Sequence, residues 1–168
     1  MDNQVFIRLQ STLYQIKNIL LADPEVRKLL YYSTEELGKK SLEQMKEVTQ
    51  AAVEDNIYLQ LVVDMDTTPP FNKRNFISIF LSDGSCDDQE VMTYAINVAL
   101  MSEKHDWIIG NDIRPLRLAQ KVIDLIDGKK LELSNKMFFN HITQQIVNDD
   151  VYGYTLIFAA SDGAHNVD

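Results

Sequence analysis

The sequence predicts a single α+β domain. An N-terminal helical hairpin precedes a mainly antiparallel sheet of four to five strands, and one further helix covers that sheet. Apolar residues recur at helical spacing near the N-terminus, three segments between residues 57 and 101 have strand character, and a second helical pattern follows a proline. We expect N-terminal helices over residues 3–53, the sheet and covering helix over residues 56–160, and a polar tail over residues 161–168.

The N-terminal hairpin is predicted from two apolar stripes and the punctuation between them. Asp2 or Asn3 can cap the first helix, and Asp23 followed by Pro24 suits the end of that helix and the start of another. The second helix takes its apolar side from Val26, Leu29 and Leu30. The apolar stripe of the first helix is Phe6, Leu9, Leu13, Ile16 and Leu20.

A capping box is predicted at the next segment, where Ser41 and Gln44 can satisfy each other's backbone amides. The pattern predicts that a short helical face continues from there. Its apolar members are Leu42, Met45, Val48 and Ala52. The same stretch is rich in Lys, Glu and Gln, which leaves open a segment that becomes ordered only against a neighbour.

Strands are predicted over residues 57–63, 76–81 and 92–100, where apolar residues alternate or form a dense run. Prolines at positions 69 and 70 favour an extended loop over a tight hairpin between the first two strands. Turn-forming residues 83–88 predict that the second and third strands are consecutive and antiparallel.

The covering helix is predicted from Pro115 to Asp127, with Gly128 as its terminator. Its predicted buried face is Leu116, Ala119, Val122, Ile123 and Ile126. Residues 131–148 fit a strand and a helix equally well. Residues 151–160, rich in Tyr, Thr, Ile and Phe, predict a final strand.

Composition excludes several classes of function. The chain has 168 residues and a formal charge of −9, which argues against general affinity for nucleic acid or for anionic membranes. Cys86 is the single cysteine, so no intrachain disulfide can form, and we expect folding in the cytoplasm. Asp2 stands where a signal peptide would be basic, and no apolar run approaches about 18 residues, so no membrane span is expected.

No catalytic or metal-binding motif is present. His105, His141 and His165 are far apart in sequence, and the chain has no Cys-x-x-Cys pair, nucleophile elbow or glycine-rich phosphate loop. Acidic residues 83–90 lack the ligand spacing of a calcium-binding EF-hand loop. Aspartates beside Cys86 would raise its thiol pKa, which disfavours a nucleophile. We therefore expect no catalytic residue, no metal ion and no cofactor.

Binding to other proteins is the remaining prediction. Exposed aromatic side chains and the proline-containing loop are its candidate surfaces, since aromatic residues are enriched where proteins bind each other. Trp107 suits a binding surface or a core anchor equally well. The candidate residues are Tyr31, Tyr32, Thr67, Pro69, Pro70, Phe71, Lys73, Arg74 and Trp107.

Residues 16–32, IKNILLADPEVRKLLYY, resemble the first helical hairpin of neck and tail-completion proteins from tailed bacteriophages. The predicted order that follows, three strands, a helix and a last strand, resembles the tail-terminator type of fold. The resemblance covers most of the chain. The chain departs from compact terminators in its long stretch 38–56 and in the loop containing Pro69 and Pro70. The resemblance therefore leaves open whether the chain is an adaptor, a stopper or a tail terminator.

The resemblance implies a virion protein that assembles in the host cytoplasm as a sixfold or twelvefold homo-oligomeric ring. Its implied neighbours are a portal or adaptor protein and the tail-tube protein, with DNA only passing through the channel. An acidic lumen would avoid trapping that DNA. Two alternatives remain open, a small cytoplasmic metal-dependent enzyme and a host-directed adaptor.

Overall fold

The computed structural model describes residues 4–60, 75–86, 92–110, 112–132, 136–146 and 149–162. The helices are α1 (Gln4–Ala22), α2 (Pro24–Tyr31), α3 (Thr34–Lys39) and α4 (Arg114–Ile126). The strands are β1 (Ile57–Gln60), β2 (Asn75–Cys86), β3 (Met92–Glu103), β4 (Ile108–Ile109), β5 (Asp112–Ile113), β6 (Phe138–Ile146) and β7 (Val151–Asp162). The predicted α+β class is confirmed.

Within the described residues, the main sheet has five strands in the order β1-β2-β3-β7-β6. Strand β1 runs parallel to β2, and the other neighbours are antiparallel, including the predicted β2–β3 pair. A parallel pair cannot be joined by a tight hairpin, which agrees with the prediction for that connection. The connection itself, residues 61–74, lies outside the described residues. Strand β7 pairs with β3 on one side and with β6 on the other, so β6 is the last strand in this order.

Helices pack on one face of this sheet. Helices α1, α2 and α4 contact β1, β2, β3 and β7, and their apolar side chains form one core with alternate residues of those strands. On the opposite face Tyr58 packs against a second, smaller cluster. That cluster consists of Phe76, Phe80, Ala99, Met101 and Val151.

The junction of α1 and α2 has the predicted cap. The Asp23 carboxylate accepts hydrogen bonds from the backbone N–H groups of Glu25 at 2.9 Å and Val26 at 3.0 Å. Pro24 occupies the first helical position, where no N–H is needed. The predicted stripe of α1 is buried at Leu9, Leu13, Ile16 and Leu20, whereas the side chain of Phe6 lies outside the described part of the chain.

Replacing Asp23 with Ala is expected to lower the free energy of unfolding by about 1 kcal/mol, because two N–H groups at the start of α2 lose their acceptor. Urea unfolding followed by circular dichroism measures this loss. Asp23→Asn is the matched control, since Asn caps helices about as well as Asp but cannot form the 3.2 Å ion pair with Lys121. Equal losses in the two variants would assign the effect to the ion pair and contradict the cap.

The segment after α3 corrects the prediction of a continuing helical face. The capping box at Ser41 is confirmed, and Leu42, Met45 and Val48 are buried, but the backbone forms short 3₁₀ turns over residues 42–44, 50–52 and 54–56. Ala52 is exposed.

Helix α2 provides the physical reason for these short turns. Lys28 Nζ donates to the Leu42 carbonyl at 3.1 Å, and Arg27 Nε donates to the Val48 carbonyl at 2.6 Å. These tertiary hydrogen bonds occupy carbonyl groups that a continuous α-helix would use internally.

Helix α4 begins one residue before its predicted start and ends before Gly128, whose φ of +72° matches the predicted terminator. The predicted buried face is wrong at Leu116, which is 41% exposed, and Leu118 is buried instead. Residues two apart lie on nearly opposite sides of a helix, so only one of these leucines can face the sheet. The stripe is set by Arg114, Leu118, Val122 and Ile126.

The ambiguous segment 131–148 contains strand β6, over residues 138–146. The predicted final strand is confirmed as β7, which extends two residues beyond its predicted end into the expected polar tail. Residues 163–168 of that tail lie outside the described residues.

Candidate interaction surface

The two neighbouring tyrosines among the predicted interaction residues differ in their surroundings. Tyr31 is exposed, and its ring meets that of Tyr32 edge-on with the centroids 5.1 Å apart. The Tyr32 ring is half-buried, and its hydroxyl donates to the backbone carbonyl of Lys46 at 3.2 Å. Tyr31 therefore presents an aromatic side chain to solvent, whereas Tyr32 holds the segment after α3 against α2.

Trp107 packs within an aromatic cluster. Its ring centroid lies 6.0 Å from those of both Tyr152 and Tyr154, and its indole N–H donates to the Ser102 carbonyl at 3.3 Å. In the β6–β7 register, Tyr152 is opposite Ile146, so this cluster stands beside the edge strand on the same face of the sheet. Trp107 remains half-buried, which leaves part of its ring accessible.

Six predicted interaction residues belong to the connection between β1 and β2 and lie outside the described residues. They are Thr67, Pro69, Pro70, Phe71, Lys73 and Arg74.

The β4–β5 hairpin exposes apolar side chains that were not among the predicted interaction residues. Ile108 and Ile113 are cross-strand partners and are both exposed, as is Leu116 just inside α4. The hairpin turns at Gly110, whose φ of +59° suits glycine. Two-residue strands are too short to produce a strand pattern in the sequence, which is why this surface was missed.

Strand β6 is the second exposed apolar element. Phe138 is 58% exposed, Ile142 41% and Ile146 61%, although all three belong to a nine-residue strand of the main sheet. The strand contains no Asp, Glu, Lys, Arg or Pro, whereas the whole chain has 25 acidic and 16 basic residues. Edge strands usually carry such residues to prevent pairing with other chains. This strand lacks that protection.

A buried arginine anchors the hairpin and the N-terminal helices behind these surfaces. Arg114 is fully buried, and its Nη1 donates to the carbonyls of Leu29 at 2.9 Å and Tyr32 at 3.0 Å. Its Nη2 donates to the Thr34 hydroxyl at 3.3 Å and lies 4.0 Å from a carboxylate oxygen of Asp106. Burial lowers the pKa of Arg114 to about 10, and the Asp106 charge partly opposes that shift, so the guanidinium stays charged at neutral pH.

Asp106 extends this buried network to the sheet. One carboxylate oxygen accepts from the N–H of Thr34 at 3.1 Å and from its hydroxyl at 2.8 Å, while the other accepts from the Asn75 side chain at 3.5 Å. Asn75 also accepts a hydrogen bond from the Ser102 hydroxyl. The network therefore connects α2, α3, β2, β3 and α4, and we assign it a structural role.

Surface ion pairs join α2 to α4. Lys121 Nζ lies 3.2 Å from Asp23 and 3.5 Å from Glu25, and Arg117 lies 3.0 Å from Glu25 and 3.2 Å from Asp112. The hydrogen bond that Lys121 donates to the Asp23 carboxylate raises the pKa of Lys121. All five side chains have an opposite charge beside them, so the group resembles a helix-to-helix contact more than a binding site.

The histidines do not form a metal site within the described ranges. His105 and His141 are exposed on different elements, and His165 lies outside those ranges. Among the residues that the structure describes, no group of three or more His, Cys, Asp and Glu side chains could hold a metal ion. No described helix is both long and apolar enough to cross a membrane.

Comparison with known proteins gives one family. Residues 23–160 match the model of the YomW family, and this range extends from the cap of α2 almost to the end of β7. No curated protein matches the chain. The matched range includes both exposed apolar elements and the Arg114 network, and it is more than half of the chain. The chain therefore belongs to the YomW family and is a phage-related protein.

Proposed function

We propose that this chain is a structural virion protein of a tailed phage. It forms a sixfold or twelvefold ring in the neck, joins the portal or its adaptor to the tail tube, and lets DNA pass. Membership of a phage-related family and the resemblance of residues 16–32 to neck proteins support this proposal. It assembles in the host cytoplasm and acts without a catalytic residue or cofactor.

Exposed apolar surface at the edge strand β6 and at the β4–β5 hairpin is the observation that carries this proposal. A protein that works through its surfaces must expose groups that other chains can use, and β6 exposes apolar side chains together with one edge of the sheet. The β4–β5 hairpin adds a further exposed apolar surface. A subunit of a ring needs contacts to both neighbours, and head-to-tail contacts that close by rotation produce such a ring.

The formal charge of −9 is compatible with a DNA channel. Like charges repel, so acidic side chains facing a lumen would keep the genome from adhering during passage. A protein that held DNA firmly would need clustered Lys and Arg instead.

Electron microscopy and native mass spectrometry of the purified full chain test the proposal. We expect rings, and a mass of six or twelve subunits, alone or after addition of the portal and tail-tube proteins of the same phage. A variant with Ile108→Lys and Ile113→Lys is expected to weaken the ring, while Gln120→Lys, an exposed position on α4, should not. A chain that stays free of both partners and forms no ring at high concentration would overturn the proposal.

A further inference from the structure

Strand β6 forms one edge of the sheet among the described strands. Within the described part of the chain, β6 pairs with β7 on one side only, because it is the last strand in the sheet order. A strand in this position presents a row of unpaired backbone N–H and C=O groups, which suits another strand better than any other partner. Its nine residues carry no formal charge at neutral pH, so a second copy of this acidic chain can approach it without repulsion from the strand itself.

A bulge limits which part of β6 can pair. The register with β7 shifts between Phe139 and His141, which leaves Asn140 as the extra residue. From His141 to Ile146 the register is continuous, opposite Ile157 to Tyr152. The regular edge available to a partner is therefore residues 141–146.

Side chains alternate between the two faces along this edge. Ile142, Gln144 and Ile146 point to one face, because they pair with Leu156, Tyr154 and Tyr152 of β7. Both isoleucines are more than two-fifths exposed. A partner strand that covers them must therefore place apolar side chains opposite both.

We propose that β6 pairs antiparallel with β6 of a second copy, about a two-fold axis at Gln144. In this register, Ile142 of each copy lies opposite Ile146 of the other, and the two Gln144 residues face each other. The two five-stranded sheets then form one sheet of ten strands.

Side-chain faces and hydrophobic pairing select this register. Directly opposed residues must point to the same face, so the axis has to pass through a residue and not between two residues. An axis at Thr143 would place Ile142 opposite Gln144, and an axis at Ile142 would extend the pairing into the bulge at Asn140. Only the axis at Gln144 gives two isoleucine pairs on the regular edge.

This two-fold contact goes beyond the neck proposal and does not rest on it. Contacts that close a ring are head-to-tail, whereas the β6 contact uses the same patch on both copies. It can join subunits in pairs around a twelvefold ring, or join two rings back to back. It can equally form a simple dimer.

Disulfide cross-linking tests the register. In a Cys86→Ser background, Gln144→Cys places two thiols directly across the axis, within the range that a disulfide spans. Gln145→Cys is the matched control, because its two copies would be offset by roughly 7 Å along the strands. Gln120→Cys, on the exposed side of α4, is the control for random collision. We expect the Gln144→Cys variant to cross-link at least about tenfold faster than either control.

A charge substitution tests the contact by mass. Ile142→Lys combined with Ile146→Lys sets lysines opposite each other, and both side chains are already exposed enough for the fold to tolerate the change. Sedimentation at several concentrations should show the apparent dissociation constant of the pair rising at least about tenfold, while Gln120→Lys leaves it unchanged.

Three results would overturn the inference: equal cross-linking of the Gln144→Cys and Gln145→Cys variants, no change of mass in the lysine variant, or a wild-type chain that is monomeric at every concentration. A wild-type chain that stays monomeric would instead indicate that the β6 edge pairs with a strand of a different protein. Rings without cross-linking at position 144 would retain the neck proposal and reject this contact. Cross-linked dimers without rings or phage partners would retain this contact and reject the neck proposal.

Discussion

Replacing Arg114 with Met is expected to lower the free energy of unfolding by about 3–5 kcal/mol, because the change removes one partner of a buried charge pair. The Asp106 carboxylate, which is 4% exposed, would be left with no guanidinium nearby. The carbonyls of Leu29 and Tyr32 would also lose their donor. Each of these groups is costly to leave unsatisfied in the interior.

Arg117 provides the matched control, since it lies on the same helix and carries the same charge. Its ion pairs with Glu25 and Asp112 are at the surface, where solvent screens them, so Arg117→Met should cost no more than about 1 kcal/mol. Urea unfolding monitored by circular dichroism compares the two variants. If Arg114→Met lowers the free energy of unfolding no more than Arg117→Met does, the buried network does not stabilise the fold.

Arg114→Lys shows which property of the arginine matters. Lysine retains the positive charge but cannot donate to Leu29, Tyr32 and Thr34 from one rigid planar group. We expect it to recover less than half of the stability that Arg114→Met loses. Full recovery would mean that charge alone holds the α2–α4 contact. If Arg114→Met does not fold, the lysine variant still allows the comparison with Arg117→Met.

Replacing Gly153 with Ala is expected to lower the free energy of unfolding by about 3 kcal/mol, at the upper end of the range for overpacked interiors. A Cβ atom at this position would lie 1.9 Å from the carbonyl oxygen of Leu100 and 2.8 Å from the sulfur of Met101. The first of these atoms belongs to the backbone of β3 and cannot rotate away. Strands β3 and β7 would have to separate at the centre of the sheet.

Gly84 is the matched control for this substitution, because it also lies in a strand. A Cβ atom there would meet the Tyr94 ring at 3.4 Å, which is an ordinary contact, so Gly84→Ala should be neutral within about 1 kcal/mol. Thermal unfolding of both variants measures the difference. An equal effect in the two would contradict a close approach at Gly153. Since β6 pairs only with β7 among the described strands, Gly153→Ala should also slow cross-linking through Gln144→Cys.

Local patterns predicted the elements that depend on neighbouring residues. The stripe of α1, the Asp23-Pro24 junction, the start of α4 near Pro115 and the turn at Gly128 were all readable, because caps and helical spacing act within a few residues. The β2–β3 pair was readable for the same reason. The helical face predicted from Leu42 to Ala52 was wrong, because side chains from α2 compete for carbonyl groups in this segment.

The spacing of its apolar residues explains why the segment of strand β6 fitted a helix and a strand equally well. Its exposed apolar residues Phe138, Ile142 and Ile146 are four apart, and a spacing of four fits one face of a helix as well as one face of a strand. The residues between them are polar or aromatic and do not alternate. An edge strand that is exposed on both faces has no buried face, so its sequence shows no regular alternation of apolar and polar residues.

The sequence by itself determined the α+β class, the helical hairpin, the covering helix and the strands that bury one face. These features depend on local periodicity and on helix capping. Tertiary structure alone decided that β1 is parallel to β2, that Arg114 is buried, and that β6 is the last of the described strands in the sheet. Each of these depends on which distant segments meet. The candidate interaction surface belongs to the second group, because a strand becomes an edge only when the order of the whole sheet is fixed.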